Sequence, residues 1–409
     1  MKILLFLLLP LSAIAAELPG GDPAKLGMSK DGLDAIGPAV ESLIGDKKLA
    51  GANVLVLRKG QVVYEKSFGN RAEGKPMQKD TLFRIFSMTK AITSTAALML
   101  CEEGRMSLDD PVGKHLPALA DPQVFVTEGT AVPAERQPTV RDLLRHTGGY
   151  ASLGSPHPVG RFYREGLPPQ DKRTLDDLVK NIGRSSQLYQ PGTRWVYGSS
   201  SDLLAAVVAS AAKQPFEKFI MARLIKPLGM NDTAYSVPEE KADRIATLYR
   251  KRAAGGLVGT DGDKNNRVLK DPSFKGGGSG LISTARDYAR FLQMIANGGE
   301  FEGKRYLRKD TVDLMRTNQL PRAITEISFG SQKRFGTGFG LGFSVRVSDD
   351  DRWAKDAVIG EYGWGGAAST HYWISPKHEL IVVTMEQTMP YNWNLEDTLK
   401  PLIYRAVLK

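Results

Sequence analysis

Among the residues able to do chemistry, Ser87 and Lys90 are the most informative pair. Phe86-Ser87-Met88-Thr89-Lys90 opens an apolar run patterned as a helix through Glu103 and ended by Gly104. Residues three apart share one helical face, so the serine hydroxyl and the lysine amine can meet there. A serine hydroxyl is a weak nucleophile until a neighbouring base takes its proton. Lys90 can serve as that base if desolvation or nearby positive charge lowers its proton affinity. At the start of a helix the Ser87 backbone N–H has no intrahelical partner, and it can face an oxygen that turns negative as a carbonyl is attacked. A second Ser-x-x-Lys, Ser210 to Lys213, falls at the far end of an apolar helical run, where the lysine suits the negative helix end. That copy reads as structural.

Two further segments could complete a site. Tyr197, in Trp195-Val196-Tyr197-Gly198-Ser199, follows a Pro191-Gly192-Thr193 turn and precedes a helix, a position from which a loop phenol reaches into a cleft. Tyr362-Gly363-Trp364-Gly365-Gly366-Ala367 enters a β-rich run, and its glycines allow a backbone or a ligand to approach closely. His371, just beyond, offers a Ser-His-Asp alternative, although no orienting carboxylate can be identified for it. Other chemistries find less support. The five histidines (115, 146, 157, 371, 378) lack metal-ligand spacing, and the loop beginning Asp261-Gly262-Asp263 lacks the glycine and glutamate of a calcium loop, so no metal or cofactor is expected. There is no Gly-x-Ser-x-Gly elbow. The single cysteine, Cys101, lies in an apolar helical run and reads as core.

The elements that must position these residues are also patterned. The 409 residues are 42% hydrophobic and 24% charged, ordinary globular usage. Residues 1–16 have a basic start, an apolar run and small residues at the cleavage position, which predicts a signal peptide ending at residue 15 or 16 and export, with the periplasm favoured. No other stretch is apolar and long enough for an integral membrane segment. The net charge of +10 is spread along the chain without a Lys/Arg block, so no nucleic-acid footprint is expected. Residues 54–65 alternate as two strands around Lys59-Gly60. Helical segments dominate 105–274, including 140–144, 175–182, 201–213 and 216–225; β-rich runs follow at 339–347, 357–362, 370–374 and 379–386, then a helix near 394–406. The expected fold is α/β (α+β): an antiparallel sheet flanked by helices and built from both chain ends (17–104 and 275–409), with a mostly helical subdomain (105–274) inserted.

Taken in order, Ser87-x-x-Lys90, Tyr197-Gly198-Ser199 and Trp364-Gly365-Gly366 resemble the three motifs of class C β-lactamases and their esterase relatives, on a penicillin-recognising fold. Leu143-Leu144-Arg145-His146-Thr147-Gly148-Gly149, Pro227-Leu228-Gly229-Met230-Asn231-Asp232-Thr233, Gly277-Gly278-Ser279-Gly280 and Gly338-Phe339-Gly340-Leu341-Gly342 are similar to the same family, so the likeness spans nearly the whole mature chain. The resemblance implies that Ser87 is acylated, that Lys90 and Tyr197 share the proton transfers, and that the Ser87 and Ala367 amides hold the oxyanion.

Two departures bear on substrate. Trp364-Gly365-Gly366 stands where a lactamase or peptidase of this type has Lys-Thr-Gly, which removes a cation for a substrate carboxylate. Ser199 replaces the usual asparagine, removing an amide that would bond an amide substrate. Trp-Gly-Gly is similar to the motif of family VIII carboxylesterases, so small carboxylic esters are the first expectation. β-Lactamase or D-amino-acid peptidase activity is the alternative, with Arg322 or Lys333 as a replacement cation; a non-catalytic penicillin-binding-like protein is a third. Tyr150, Trp195, Tyr362 and Trp364 are expected to shape the pocket. The sequence leaves oligomeric state open.

Overall fold

The structure, a computed structural model, describes residues 17–260, 267–354 and 356–408. The leader expected at 1–16 and the loop at 261–266 lie outside the described residues.

Alternation decides the first hairpin. Strand Gly51–Arg58 is buried on both faces, with Leu55 and Leu57 in one apolar cluster and Ala52, Val54 and Val56 in another. Lys59 and Gly60 both have positive φ (49° and 78°), as a two-residue turn matched to strand twist requires, and the chain returns as Gln61–Ala72. The C-terminal segment then supplies the other side of the sheet. Leu380–Met385 pairs with Gly51–Arg58, and His371–Ser375, Tyr362–Gly365, Ser344–Arg346 and Thr337–Phe339 follow outward. With Lys75–Pro76 at the far edge this makes eight strands, every pair antiparallel.

Helices cover both faces. Ile36–Gly45 and Asn394–Arg405 lay Ile36, Val40, Leu399 and Ile403 against Val54, Val56 and Trp373. On the other face one apolar cluster runs from Leu55 and Val383 through Ile92 and Ala96 of helix Thr89–Glu102 to Leu204 and Phe219 of the inserted region. Each large aliphatic side chain buried this way contributes about 1.5–3 kcal/mol.

The inserted region carries the helices Val140–Leu144, Leu175–Gly183 and Ser200–Ala212. Thr139 and Thr174 cap the first two through reciprocal bonds with Asp142 and Asp177. It also holds small sheets, one of Gln123–Thr127, Thr130–Pro133 and Ser186–Gln187. Helix Phe216–Ile220 continues as a π-type turn at Met221–Ile225. Two β expectations shift. The 339–347 run is two short strands joined across Gly340–Phe343, and residues 357–361 form a turn, with Glu361 N bonding Val358 O and Gly360 at φ 85°. Among the described residues no helix is long and apolar enough to cross a membrane, and no His/Cys/Asp/Glu group could hold a metal.

Candidate active site

The backbone bends sharply just before Ser87. Phe86 adopts φ 43°, a left-handed conformation that costs a side-chain-bearing residue about 1–2 kcal/mol and is retained only where packing dictates it. Ser87 sits in the short 3-10 turn Phe86–Met88 that leads into helix Thr89–Glu102. The turn's bonding begins at Met88 N, which donates to Ile85 O, so the Ser87 amide lies ahead of the first bonded N–H.

Lys90, on the first turn of that helix, is buried and its Nζ lies 3.1 Å from Ser87 Oγ. Nζ also donates to Gly278 O at 2.6 Å and lies 4.7 Å from the centre of the Tyr197 ring. The glycine stretch holds that carbonyl in place. Gly278 N donates to the Asp202 carboxylate (2.8 Å), whose pKa burial raises against the pull of Lys90, and Thr93 Oγ1 donates to Gly277 O (2.8 Å). A Cβ on Gly277 would lie 2.3 Å from Ser201 O, so only glycine lets the loop close around Lys90.

Tyr197 stands among aromatic rings. Trp195 stacks on it (centroids 5.8 Å, 15°), His146 tilts against it at 5.1 Å, and Trp364 lies 5.3 Å away with its Nε1–H donating to Tyr197 Oη at 3.1 Å. Burial, with the Lys90 charge behind it, pushes His146 down to about 3, so its ring is neutral. Ser199 turns away from the cleft and donates Oγ–H to Ala151 O at 2.8 Å, tying the Tyr197 loop to its neighbour.

Opposite, strand Tyr362–Gly365 brings Gly366 and Ala367 against the Ser87 turn. A Cβ on Gly366 would lie 2.4 Å from Ile85 O and 2.3 Å from Thr370 Oγ1. The turn's bonds run from Gly366 N to Thr370 O and from Ser369 N to Gly366 O, passing over the Ala367 amide. Ser87, Tyr197, Trp364, Gly365, Gly366 and Ala367 thus line one cavity of about 430 Å³.

Other expected residues lie elsewhere. Tyr150 and Tyr362 are core, 2% and 1% exposed, and do not line this cavity; large aromatic rings of that position are drawn inside by the apolar area they bury. Trp195 backs Tyr197 without lining the cavity. His371 faces a second cavity, paired with Glu396 at 3.0 Å within a buried cluster that includes Lys400 and Glu361, so it is no partner of Ser87. Ser210 donates to His115 O, and Lys213 caps its helix in a left-handed conformation. Lys333 pairs with Glu326 at 2.7 Å on the surface, and Arg322 is exposed.

The cation that lines the cavity is Arg334, one residue further on, and the sequence offered no signal for it beyond proximity to Lys333. It is carried by the hairpin Ile327–Phe329/Gln332–Arg334 and sits over four rings, Phe329, Trp353, Trp364 and Trp393, at 4.3, 5.2, 5.2 and 4.9 Å. Burial lowers its pKa, yet a guanidinium stays charged at any ordinary pH.

Known proteins share this organisation. The beta-lactamase family model matches residues 36–400. An uncharacterized protein of Mycobacterium tuberculosis is 33% identical, with 84% of this chain and 86% of that protein covered. Esterase EstB of Burkholderia gladioli is 28% identical, covering 90% of this chain and 93% of its own. Among solved structures, EstCE1, a hydrolase with promiscuous acyltransferase activity, matches with a TM-score of 0.78 at 23% identity, covering 91% of this chain and 99% of its own; at that identity the likeness is one of fold. Because the family match runs through the N-terminal strands, the inserted helices and the closing strands alike, the chain as a whole belongs to the beta-lactamase family, as a serine hydrolase of that fold.

Proposed function

We propose that the chain is a carboxylesterase that works through an acyl-enzyme on Ser87. The observation that carries this reading is the Trp364 Nε1–H bond to Tyr197 Oη: a neutral indole donor occupies the side of the phenol where a lactamase-type lysine would stand. The phenol oxygen keeps a donor, while the cleft loses an ammonium for the substrate. Ser87 Oγ attacks the ester carbonyl as its proton passes to the Lys90–Tyr197 pair, and the oxyanion is held by the amides of Ser87 and Ala367. The same pair returns the proton to the leaving alkoxide. Water then attacks the acyl-serine by the reverse route, releasing acid and free Ser87. Esters suit this site because an alkoxide departs more readily than an amide nitrogen, which needs prior protonation.

One observation favours β-lactam hydrolysis as the second reading: Arg334 supplies the same cavity with a cation. Ser87→Ala is compared with wild type on a short-chain p-nitrophenyl ester and a chromogenic cephalosporin. Rapid, Ser87-dependent ester turnover with slow cephalosporin turnover is expected. Dominant cephalosporin turnover sinks the esterase reading, and ester turnover that survives in the variant removes Ser87 from the mechanism. We also propose that a leader ending at residue 15 or 16 is removed on export; a mature N-terminus elsewhere than residue 16 or 17, read by N-terminal sequencing, refutes it.

A further inference from the structure

Arg334 is the residue the proposed mechanism leaves unused. Its faces are occupied by aromatic rings, and its Nε is buried without a hydrogen-bond partner. No carboxylate pairs with it among the described residues. Glu396, whose charge acts on it, is held by Lys400 at 2.8 Å and His371 at 3.0 Å. The neighbouring Arg346 also leaves its Nε unpaired, but it spends its Nη groups on backbone, with Nη1 donating to Phe335 O and Trp353 O and Nη2 to Asp350 O. A part-buried cation stripped of water costs free energy unless a counter-charge arrives. Four rings hold the guanidinium as a stiff fork, so little side-chain entropy is lost when a carboxylate docks on its edge.

Position says which part of a substrate would carry that carboxylate. Tyr197 Oη must reach the leaving oxygen to protonate it, so the alcohol portion of the ester lies on the Tyr197 side of the cleft. Beyond Tyr197 Oη come the Trp364 indole at 3.1 Å and then Arg334, 5.2 Å from that ring. Arg334, Trp364 and Trp393 also border the second cavity, about 480 Å³, so the alcohol portion has room to extend past the guanidinium.

We infer that Arg334 recognises a carboxylate on the alcohol portion of the substrate, making the preferred substrates esters of hydroxy- or phenol-carboxylic acids. This rests on the Ser87 esterase reading and adds the substrate class to it. The test compares 4-carboxyphenyl butanoate with phenyl butanoate, and with monophenyl glutarate, which carries its carboxylate on the acyl side. Wild type should favour 4-carboxyphenyl butanoate over phenyl butanoate by about tenfold in kcat/KM, the effect of one charge-assisted hydrogen bond, and the preference should shrink in high salt. Arg334→Met should bring the ratio of the two to near one, and Arg334→Lys should retain part of it. No preference in wild type, a stronger preference for monophenyl glutarate, or an Arg334→Met variant that loses both esters in equal proportion would each overturn the assignment. Ser87-dependent turnover of phenyl butanoate in the same assays reports separately on the esterase reading.

Discussion

Lys90 and Tyr197 work, on this reading, as one proton-handling unit, and their contacts explain why neither suffices alone. Lys90 Nζ touches both Ser87 Oγ and the Tyr197 ring, while the phenol oxygen is tied to Trp364. General acid–base groups of this kind contribute about 10²–10⁴-fold to rate. Lys90→Met and Tyr197→Phe are each expected to lower kcat/KM for a neutral ester by that amount. The double variant should lose little more than the worse single one, because residues that act as a unit are not additive. Steady-state kinetics on the three variants decides it: losses that multiply would mean two independent contributions. The neutral state of His146 matters here, since a charged imidazole 5.1 Å from the phenol ring would add a cation to a site that already holds one.

Elements hold these residues at working distance, and one tight constraint lies where the strand Tyr362–Gly365 meets the turn that carries Ser87. Gly366 packs so tightly on Ile85 O that a methyl group must push the Tyr362–Gly365 strand away from Ser87. Gly366→Ala is expected to cut kcat by about 10²-fold through displacement of the Ala367 amide, more than its cost of about 1–3 kcal/mol in stability would explain. Comparing kcat with a urea midpoint separates the two effects; a variant with normal kcat shows that the amide tolerates displacement. Much of this scaffold was legible beforehand. The strands around Lys59-Gly60 and the helix after Ser87 have strong local periods, and residues of all three motifs line the cavity, the first placed by its helix start and the other two by loops punctuated with glycine. What failed to read was anything set by packing between distant segments. Tyr150 and Tyr362 have the same residue type as Tyr197, and only the layers around them send them into the core. Arg334 lies on a hairpin whose fold over the cleft depends on aromatic partners from residues 353, 364 and 393.

The molecule as a whole joins its two chain ends at the site, and that junction encloses a buried carboxyl. Gln387 clamps the segment before Ser87, its side chain accepting from Arg84 N at 3.2 Å and donating to Arg84 O at 3.1 Å. Beside it Glu386 is 1% exposed, with Thr388 Oγ1 donating to one carboxyl oxygen at 3.0 Å and the other oxygen left without a partner. Burial raises this carboxyl to about 8, against the Thr388 bond and the Lys251 charge that pull it down. The folded state therefore binds a proton that the unfolded chain, with an ordinary carboxyl near 4.5, has already released. Stability from this group is complete below about pH 4.5 and is lost as the pH climbs from there through about 8, a loss of about 5 kcal/mol. Glu386→Gln puts a permanently neutral group in the same space, with its amide still able to meet the Thr388 hydroxyl. Urea unfolding is expected to find the variant within about 1 kcal/mol of wild type at pH 5 and more stable than wild type at pH 9. If the difference between the two proteins is the same at both pH values, Glu386 is ionised in the folded state across the range.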